Sequence, residues 1–419
     1  MMLLYNFIVV LTSYFLEIPA RFLPKIGLFV GGRKKVWSYL SEFRKPNTPL
    51  IWMHAASLGE FEQGLPILDQ LKVQYPHYQF LITFFSPSGY EVKKDKVTDF
   101  GICYLPLDTH SNALKFIELA KPDLALFVKY EVWPNFFRVC AQKEIPLFMI
   151  SALFKPSQIY FRWYGQLLRN ALKQVSHFYV QDNLSAKLLK QLGHKNTTVS
   201  GDTRFDRVSD IKKRDNRLEF MEMFKGKRTC LVVGSSWPED EKVILPFLLE
   251  FANTTNLCVV IAPHQTDIHK INTLLQSLGT KAQKFTESAQ EDLFKLPILI
   301  VDTVGLLTRI YAYADIAYVG GGFATGLHNT LEPAVFGIPV LIGPNYIGFR
   351  EAEALIASGG MISISNAETF KNEALACIRN PELRKERGAL NAKLLLKNKG
   401  ATAIICQGIT SKLEKTPSA

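Results

Sequence analysis

Cysteine is scarce and scattered in this chain. Six occur in 419 residues, at Cys103, Cys140, Cys230, Cys258, Cys377 and Cys406, with no CxxC pair. That spacing excludes a disulfide framework and a zinc ribbon, and reads as reduced core thiols in a cytosolic compartment; no metal-ligand cluster is visible either. Internal repeats and low-complexity tracts are absent, which removes solenoids and disordered arms from consideration. Acidic residues are outnumbered, 38 Asp and Glu against 49 Lys and Arg, for a formal net charge of +11. Such an excess favours an anionic partner. Phospholipid, nucleic acid and an acidic glycolipid all satisfy it, so charge alone selects none of them.

A long apolar run is missing as well. Met1 to Leu16 carries no charge but falls short of the ~20 residues a spanning helix normally needs. Arg21, Lys25, Arg33, Lys34, Lys35, Arg44 and Lys45 follow, against only Glu17 and Glu42. No basic segment precedes the run and no small-residue cleavage site ends it, which argues against a secretory signal. An apolar helix with a basic belt, residues 1–40, is expected to anchor the chain at the cytoplasmic leaflet, spanning it or lying in the interface. The plain alternative is a buried N-terminal helix.

What is present is the composition of a folded globular chain, 47% apolar and 21% charged, too long for one hydrophobic core. Short β-rich runs alternate with helical stretches: Leu50 to Met53, Phe80 to Phe84, Ile102 to Leu105, Leu124 to Val128, Pro146 to Ile150 and Phe178 to Val180. A second series runs through Thr229 to Val233, Leu257 to Ala262, Ile298 to Val301, Ile316 to Val319 and Val340 to Ile342. Apolar strands separated by amphipathic segments predict parallel sheets covered on both faces. The expected fold class is therefore α/β, with two doubly wound Rossmann-like domains and a cleft between them. Boundaries are expected at 41–210 and 229–419, with the charged stretch 211–228 as linker. Ligands bind such sheets beyond the carboxyl ends of the strands, so the loops after strands are where chemistry is sought.

One such loop follows Ile316 to Val319: Gly320, Gly321 and Gly322 make a turn, and His328 to Phe336 can open a helix. Glycines let a backbone approach a ligand, and free N–H groups in a first helical turn suit a phosphate; an ordinary tight turn is the competing reading. Glu332, one turn in, is placed to accept from a ribose. In the first half Ser57-x-x-Glu60 has the spacing of a capping box, so Glu60 could serve only its own helix start. Glu131 could likewise be a helix-start carboxylate, Arg204 a solvated linker charge and His264 a local hydrogen-bonding group.

The string Gly-Gly-Gly-Phe, a spacer, His328-Asn329-x-Leu331-Glu332-Pro333-Ala334 and Gly337-x-Pro339-Val340 resembles the donor-nucleotide segment of the Kdo (3-deoxy-D-manno-octulosonic acid) transferases of lipopolysaccharide synthesis, a family with the GT-B fold. Trp52 to Glu60 is similar to that family's W-x-H-x-x-S-x-G-E. Lys129 to Asn135 is similar to E-T-E-x-W-P-N with Lys129 for the first glutamate, and Gly201 to Asp206 to G-N-x-K-F-D with Arg204 for lysine. Pro263-His264 stands for P-R, and Asp302 to Leu306 for D-T-x-G-E-L with Leu306 for glutamate.

The resemblance implies an inverting glycosyltransferase moving Kdo from CMP-Kdo to a lipid A precursor of the lipid IVA type. Glu60 would be the general base, with Glu131 and Arg204 organising the transition state. Pro263, His264, Val304, Gly305, Leu306, Asn329, Thr330, Leu331 and Glu332 would hold CMP. A base is needed because the acceptor hydroxyl must lose its proton, whereas the leaving phosphate is already ionised. Arginine at 204 keeps charge and adds bidentate geometry, but cannot relay a proton. No metal, cofactor or nucleic acid is expected; the partners are CMP-Kdo, the lipid acceptor and the cytoplasmic face of the inner membrane. Two rival readings are a GT-B transferase or epimerase using a UDP-sugar, and a basic protein that tethers to membrane without catalysis.

Overall fold

The computed structural model describes residues 1–251, 256–288, 290–324 and 326–414, in two units: Met1–Arg207 together with the chain from Lys399, and Val208–Asn398. The first unit is built on β1 (Leu50–Ala55), β2 (Gln79–Phe84), β3 (Gly101–Tyr104), β4 (Leu124–Val128), β5 (Leu147–Ala152), β6 (His177–Val180) and β7 (Thr197–Val199). All pair in parallel, in the order β3-β2-β1-β4-β5-β6-β7. The second unit has β8 (Thr229–Ser236), β9 (Leu257–Pro263), β10 (Ala282–Lys284), β11 (Ile298–Ile300), β12 (Ile316–Val319), β13 (Val340–Ile342) and β14 (Met361–Ser363). Its order is β10-β11-β9-β8-β12-β13-β14, again parallel throughout.

Both sheets are covered on two faces, so their inner strands are continuous apolar runs, and each expected strand is present. The three that sequence does not reveal, β7, β10 and β14, are three residues long and lie at sheet edges. An edge strand has one neighbour and partial cover, so Thr-Thr-Val or Ala-Gln-Lys suffices without an apolar signal. The crossover predicted as linker is largely helical: Thr203–Lys213 and Glu219–Lys225. Phe220, Met221 and Phe224 are buried, and Phe220 packs on Phe285 with ring centroids 4.4 Å apart.

Two expected boundaries move. The final helix, Ala401–Leu413, does not stay with the second unit. Ile405, Cys406 and Ile409 join the core that holds Ile51, Met53 and Phe61, and Asp206 accepts from the backbone N–H groups of Gly400 and Thr402 at 2.7 Å each. An amphipathic stripe shows that a helix is buried but not against which sheet.

At the other end, helix Val36–Phe43 belongs to the first core, not to an anchor, since Val36 and Leu40 are buried in the cluster that holds Trp52, while Pro24–Lys34 buries only Arg33. Arg33 is no belt cation. Its guanidinium lies 3.6 Å from the Phe29 ring centroid and 4.7 Å from that of Phe85, and donates to the carbonyls of Phe29 and Phe85. Burial lowers its pKa to about 9.

Helix Met2–Glu17 buries no residue, against the buried-helix alternative. With the turn Pro19–Arg21 it makes a stretch, Met2–Arg21, of 20 residues, long and apolar enough by length and composition to cross a membrane. Its polar side chains meet the first unit: the Tyr5 hydroxyl donates to Asp108 at 2.8 Å and Asn135 Nδ2 donates to Asn6 Oδ1 at 2.8 Å.

Candidate active site

In the first sheet the chain runs outward from β1 to β2 and β3, then returns to place β4 on the other side. The loops after β1 and β4 therefore diverge and leave a crevice at their carboxyl ends, the usual ligand position in a doubly wound sheet. Glu60 and Glu131 come from those two loops. Glu60 opens helix Leu58–Gln74 and is only 6% exposed; its Oε2 accepts from the Ala56 N–H at 2.5 Å. Ser57 makes no side-chain cap. Half of the capping box thus exists, the half made by the glutamate. Burial, and next the charge of Glu131, push the Glu60 carboxyl up to about 7, while Lys129 and the Ala56 and Ser57 N–H groups oppose the shift. Lys129 stands at φ 61°, an uncommon backbone for a lysine, at the tip of the loop after β4.

His54 is a partner that sequence reasoning passed over, although it lies inside the Trp52 to Glu60 string. It is fully buried on β1, and its Nε2 has no hydrogen-bond partner, with Glu131 Oε2 3.9 Å away. Its Nδ1 is 3.0 Å from Thr83 Oγ1, which also accepts from Trp52 Nε1 at 2.9 Å. Burial lowers the His54 pKa, so the ring is neutral.

Arg204 is not a solvated linker charge. Its Nε and Nη2 both donate to Asp202 Oδ2, at 2.9 and 2.7 Å, and its backbone N–H donates to Asp202 Oδ1 at 2.9 Å. Gln63, one turn after Glu60 on the same helix, donates to Asp202 Oδ1 at 3.4 Å, and the Thr203 hydroxyl donates to the Gln63 carbonyl at 2.6 Å. The Arg204 segment is thereby fastened to the helix that carries Glu60.

In the second unit the equivalent crevice lies between β8 and β12. Most of the N–H groups of the glycine turn there are taken up within the fold. Gly320 donates to the Gly234 carbonyl at 2.9 Å, and Gly321 and Phe323 donate to the buried carboxylate of Asp240 at 2.8 and 3.4 Å. Asp240 also accepts from the Tyr318 hydroxyl at 2.7 Å and the Trp237 N–H at 3.0 Å. Glycine is required for packing: a Cβ at Gly320 would strike the Ser235 carbonyl, and Gly321 has φ 94° with the Gly326 carbonyl against it. The expected long helix is also short, Leu331–Ala334.

The residues assigned to CMP divide by position. Glu332 Oε2 accepts from the Thr308 hydroxyl at 2.9 Å and Oε1 from Asn329 Nδ2 at 3.0 Å, which joins the loop after β11 to the one after β12. Val304 is exposed on that first loop and Gly305 has φ 93°, with Leu306 capping the short helix that follows. Thr330 and Leu331 are buried, so their side chains face the core. Pro263 ends β9, and His264 stacks on Trp237 with centroids 4.7 Å apart and planes 19° apart. His328 completes that group, 4.3 Å from His264 and accepting from Trp237 Nε1 at 2.9 Å. Burial lowers the pKa of both imidazoles, helped by Lys270 at His264 and by His264 at His328. Trp237, Asp240 and Thr308 were not singled out from sequence; the signal for the first two was their place at the strand-to-helix turn after β8.

Residues 32–207 match the family described as 3-Deoxy-D-manno-octulosonic-acid transferase (kdotransferase). The 3-deoxy-D-manno-octulosonic acid transferase of Haemophilus influenzae is 27% identical over 380 residues, 87% of this chain and 87% of that protein. The enzyme of the same name from Rickettsia bellii is 28% identical over 387 residues, 89% of this chain and 90% of its own. Among solved structures, UDP-GlcNAc 2-epimerase from Neisseria meningitidis superposes with a TM-score of 0.63 at 15% identity, covering 86% of this chain and 100% of that one. MurG from Acinetobacter baumannii gives 0.54 at 13%, covering 87% and 99%. Two doubly wound units of this kind make the GT-B architecture.

Proposed function

We propose that the chain is a Kdo transferase, as the family match over residues 32–207 and the relatives of that name along most of its length support, and that it moves Kdo from CMP-Kdo to a hydroxyl of a lipid A precursor. The reaction proceeds with inversion at the cytoplasmic face of the inner membrane. The observation that carries this reading is the Glu60 carboxyl, buried at the β1/β4 crevice beside Glu131, with its pKa raised to about 7. A general base works best with a pKa close to the operating pH, and this one can take the acceptor proton as the hydroxyl attacks the anomeric carbon.

The buried His54 imidazole faces Glu131 across 3.9 Å, and the charge of Glu131 in turn makes Glu60 more basic. Arg204, oriented by Asp202, supplies positive charge for the transition state. A nucleoside monophosphate leaves with less charge than a diphosphate, so protein dipoles and basic groups can balance it without a metal ion.

CMP is assigned to the second unit, between Pro263-His264, Val304 to Leu306 and Asn329 to Glu332, with the buried Thr330 and Leu331 contributing backbone only. Turnover of labelled CMP-Kdo with a lipid A precursor tests the whole reading. CMP should compete and UDP should not; competition by UDP in place of CMP would transfer the chain to the UDP-sugar class. Within the pocket, Glu332→Ala should raise the CMP dissociation constant roughly tenfold, the loss expected for charge-assisted hydrogen bonds to ribose. Calorimetry reads this directly, and an unaltered constant would move the ribose contact elsewhere.

A further inference from the structure

Between Glu144 and Asp182 the chain contains no Asp or Glu, yet it carries Lys155, Arg162, Arg169 and Lys173. The middle of this acid-free stretch is the loop between β5 and helix Gln166–Leu172. Trp163 on that loop is 88% exposed and Tyr164 55%, and Ile159 lies beside them at 42%. Such aromatics on a floppy segment would mean little. Here the loop is tightly built. Arg169 donates to the carbonyls of Tyr160 at 3.1 Å, Arg162 at 2.6 Å and Trp163 at 3.3 Å. Arg162 N donates to Ile159 O at 3.1 Å and Gly165 N to Arg162 O at 3.0 Å. A Cβ at Gly165 would strike the Ile159 carbonyl, so the closed turn demands glycine there. The fold therefore holds an indole in water, with Arg162 immediately before it and Lys155 earlier on the same loop.

From this we infer that the 155–164 loop is a second bilayer contact, separate from the N-terminal helix, which seats Trp163 and Tyr164 among the headgroups of an anionic membrane. Trp and Tyr favour that interfacial layer because their rings are apolar with one polar edge, and Lys155 and Arg162 complement the negative surface. Placement within the first unit supports the inference. In a parallel sheet all loops after strands emerge on one edge, and three loops on that edge are tied to one another or to the N-terminal helix. Tyr5 bonds to Asp108 after β3, Asn6 to Asn135 after β4, and the Tyr160 hydroxyl donates to the Tyr130 carbonyl at 2.8 Å. Tyr130 is the neighbour of Glu131. The bilayer surface and the acceptor-deprotonating crevice thus share one edge, as a lipid-borne acceptor requires; this last step rests on the function proposed above.

The probe is a vesicle of phosphatidylglycerol and phosphatidylethanolamine whose acyl chains carry bromine close to the headgroup. Full-length protein and Trp163→Phe are compared by fluorescence, so that the difference isolates Trp163 from Trp37, Trp52, Trp133 and Trp237. The Trp163 emission should shift to the blue and be quenched on the brominated vesicles. An emission that stays red and unquenched while the protein co-sediments would overturn the inference and leave the N-terminal helix as the contact. Trp163→Ser with Tyr164→Ser should lower vesicle partitioning about tenfold and slow transfer to vesicle-embedded acceptor, with transfer to a detergent-dispersed acceptor unchanged. Equal loss on both acceptors would instead place the loop in the acceptor site. Quenching is read without turnover, so a failed Kdo transfer reading and a failed membrane reading give different results.

Discussion

Replacing Glu60 by glutamine should lower Kdo transfer by roughly 10² to 10⁴, the usual cost of losing a general base, and leave CMP affinity at the parent value. The side-chain carbonyl of the introduced glutamine can still accept from the Ala56 N–H now held by Glu60 Oε2, so the helix start survives. Stability should even rise at alkaline pH. The folded-state pKa of Glu60, about 7, lies above its ordinary value of 4.5, so the fold prefers the protonated group. Its contribution is fully present below pH 4.5 and is lost as pH rises through 7, up to about 3 kcal/mol. A neutral amide has no such loss. The variant should therefore melt with the parent at pH 4.5 and above it at pH 8, while parent kcat/KM falls tenfold per unit below pH 7. Melting curves and transfer rates at several pH values check all three. Transfer within about threefold of the parent would return Glu60 to a purely capping role.

That experiment separates two readings which the sequence alone leaves superimposed, because Ser57-x-x-Glu60 is both a capping box and part of the family motif. The structure shows why they coincide. Accepting its own helix-start N–H groups is how Glu60 is held under the loop, and being held there is what raises its pKa. The interior of the fold was legible for an equally physical reason: parallel strands covered on both faces must be apolar throughout, so 11 of the strands could be seen as runs. What stayed hidden depended on a partner. Edge strands need little apolar signal, the stripe of Ala401–Leu413 does not name the sheet it covers, and Arg33 looks like any surface cation until Phe29 and Phe85 enclose it. His54 reads as an ordinary residue of a buried strand until Thr83 and Glu131 are known to face its two nitrogens.

The glycine turn was the part of the site most open to misreading, and Asp240 is where the misreading can be tested. Asp240→Asn should destabilise the protein by about 3 kcal/mol, since a buried carboxylate that accepts from Gly321, Trp237 and Tyr318 would be exchanged for a group half of which is itself a donor. For a unit of this size that is a fall in melting temperature of roughly 10 °C. CMP binding should weaken as well, because Trp237 fixes His328 and stacks on His264 from the same loop that Asp240 holds. A phosphate-cradling turn makes the opposite claim. If the N–H groups of Gly321 and Phe323 belonged to a nucleotide phosphate, Asp240 would be a competing anion on those donors. Neutralising it would then tighten CMP and cost the fold little. Melting temperature and CMP affinity on the one variant move together downward if the glycines serve packing, and affinity rises at unchanged melting temperature if they serve the phosphate.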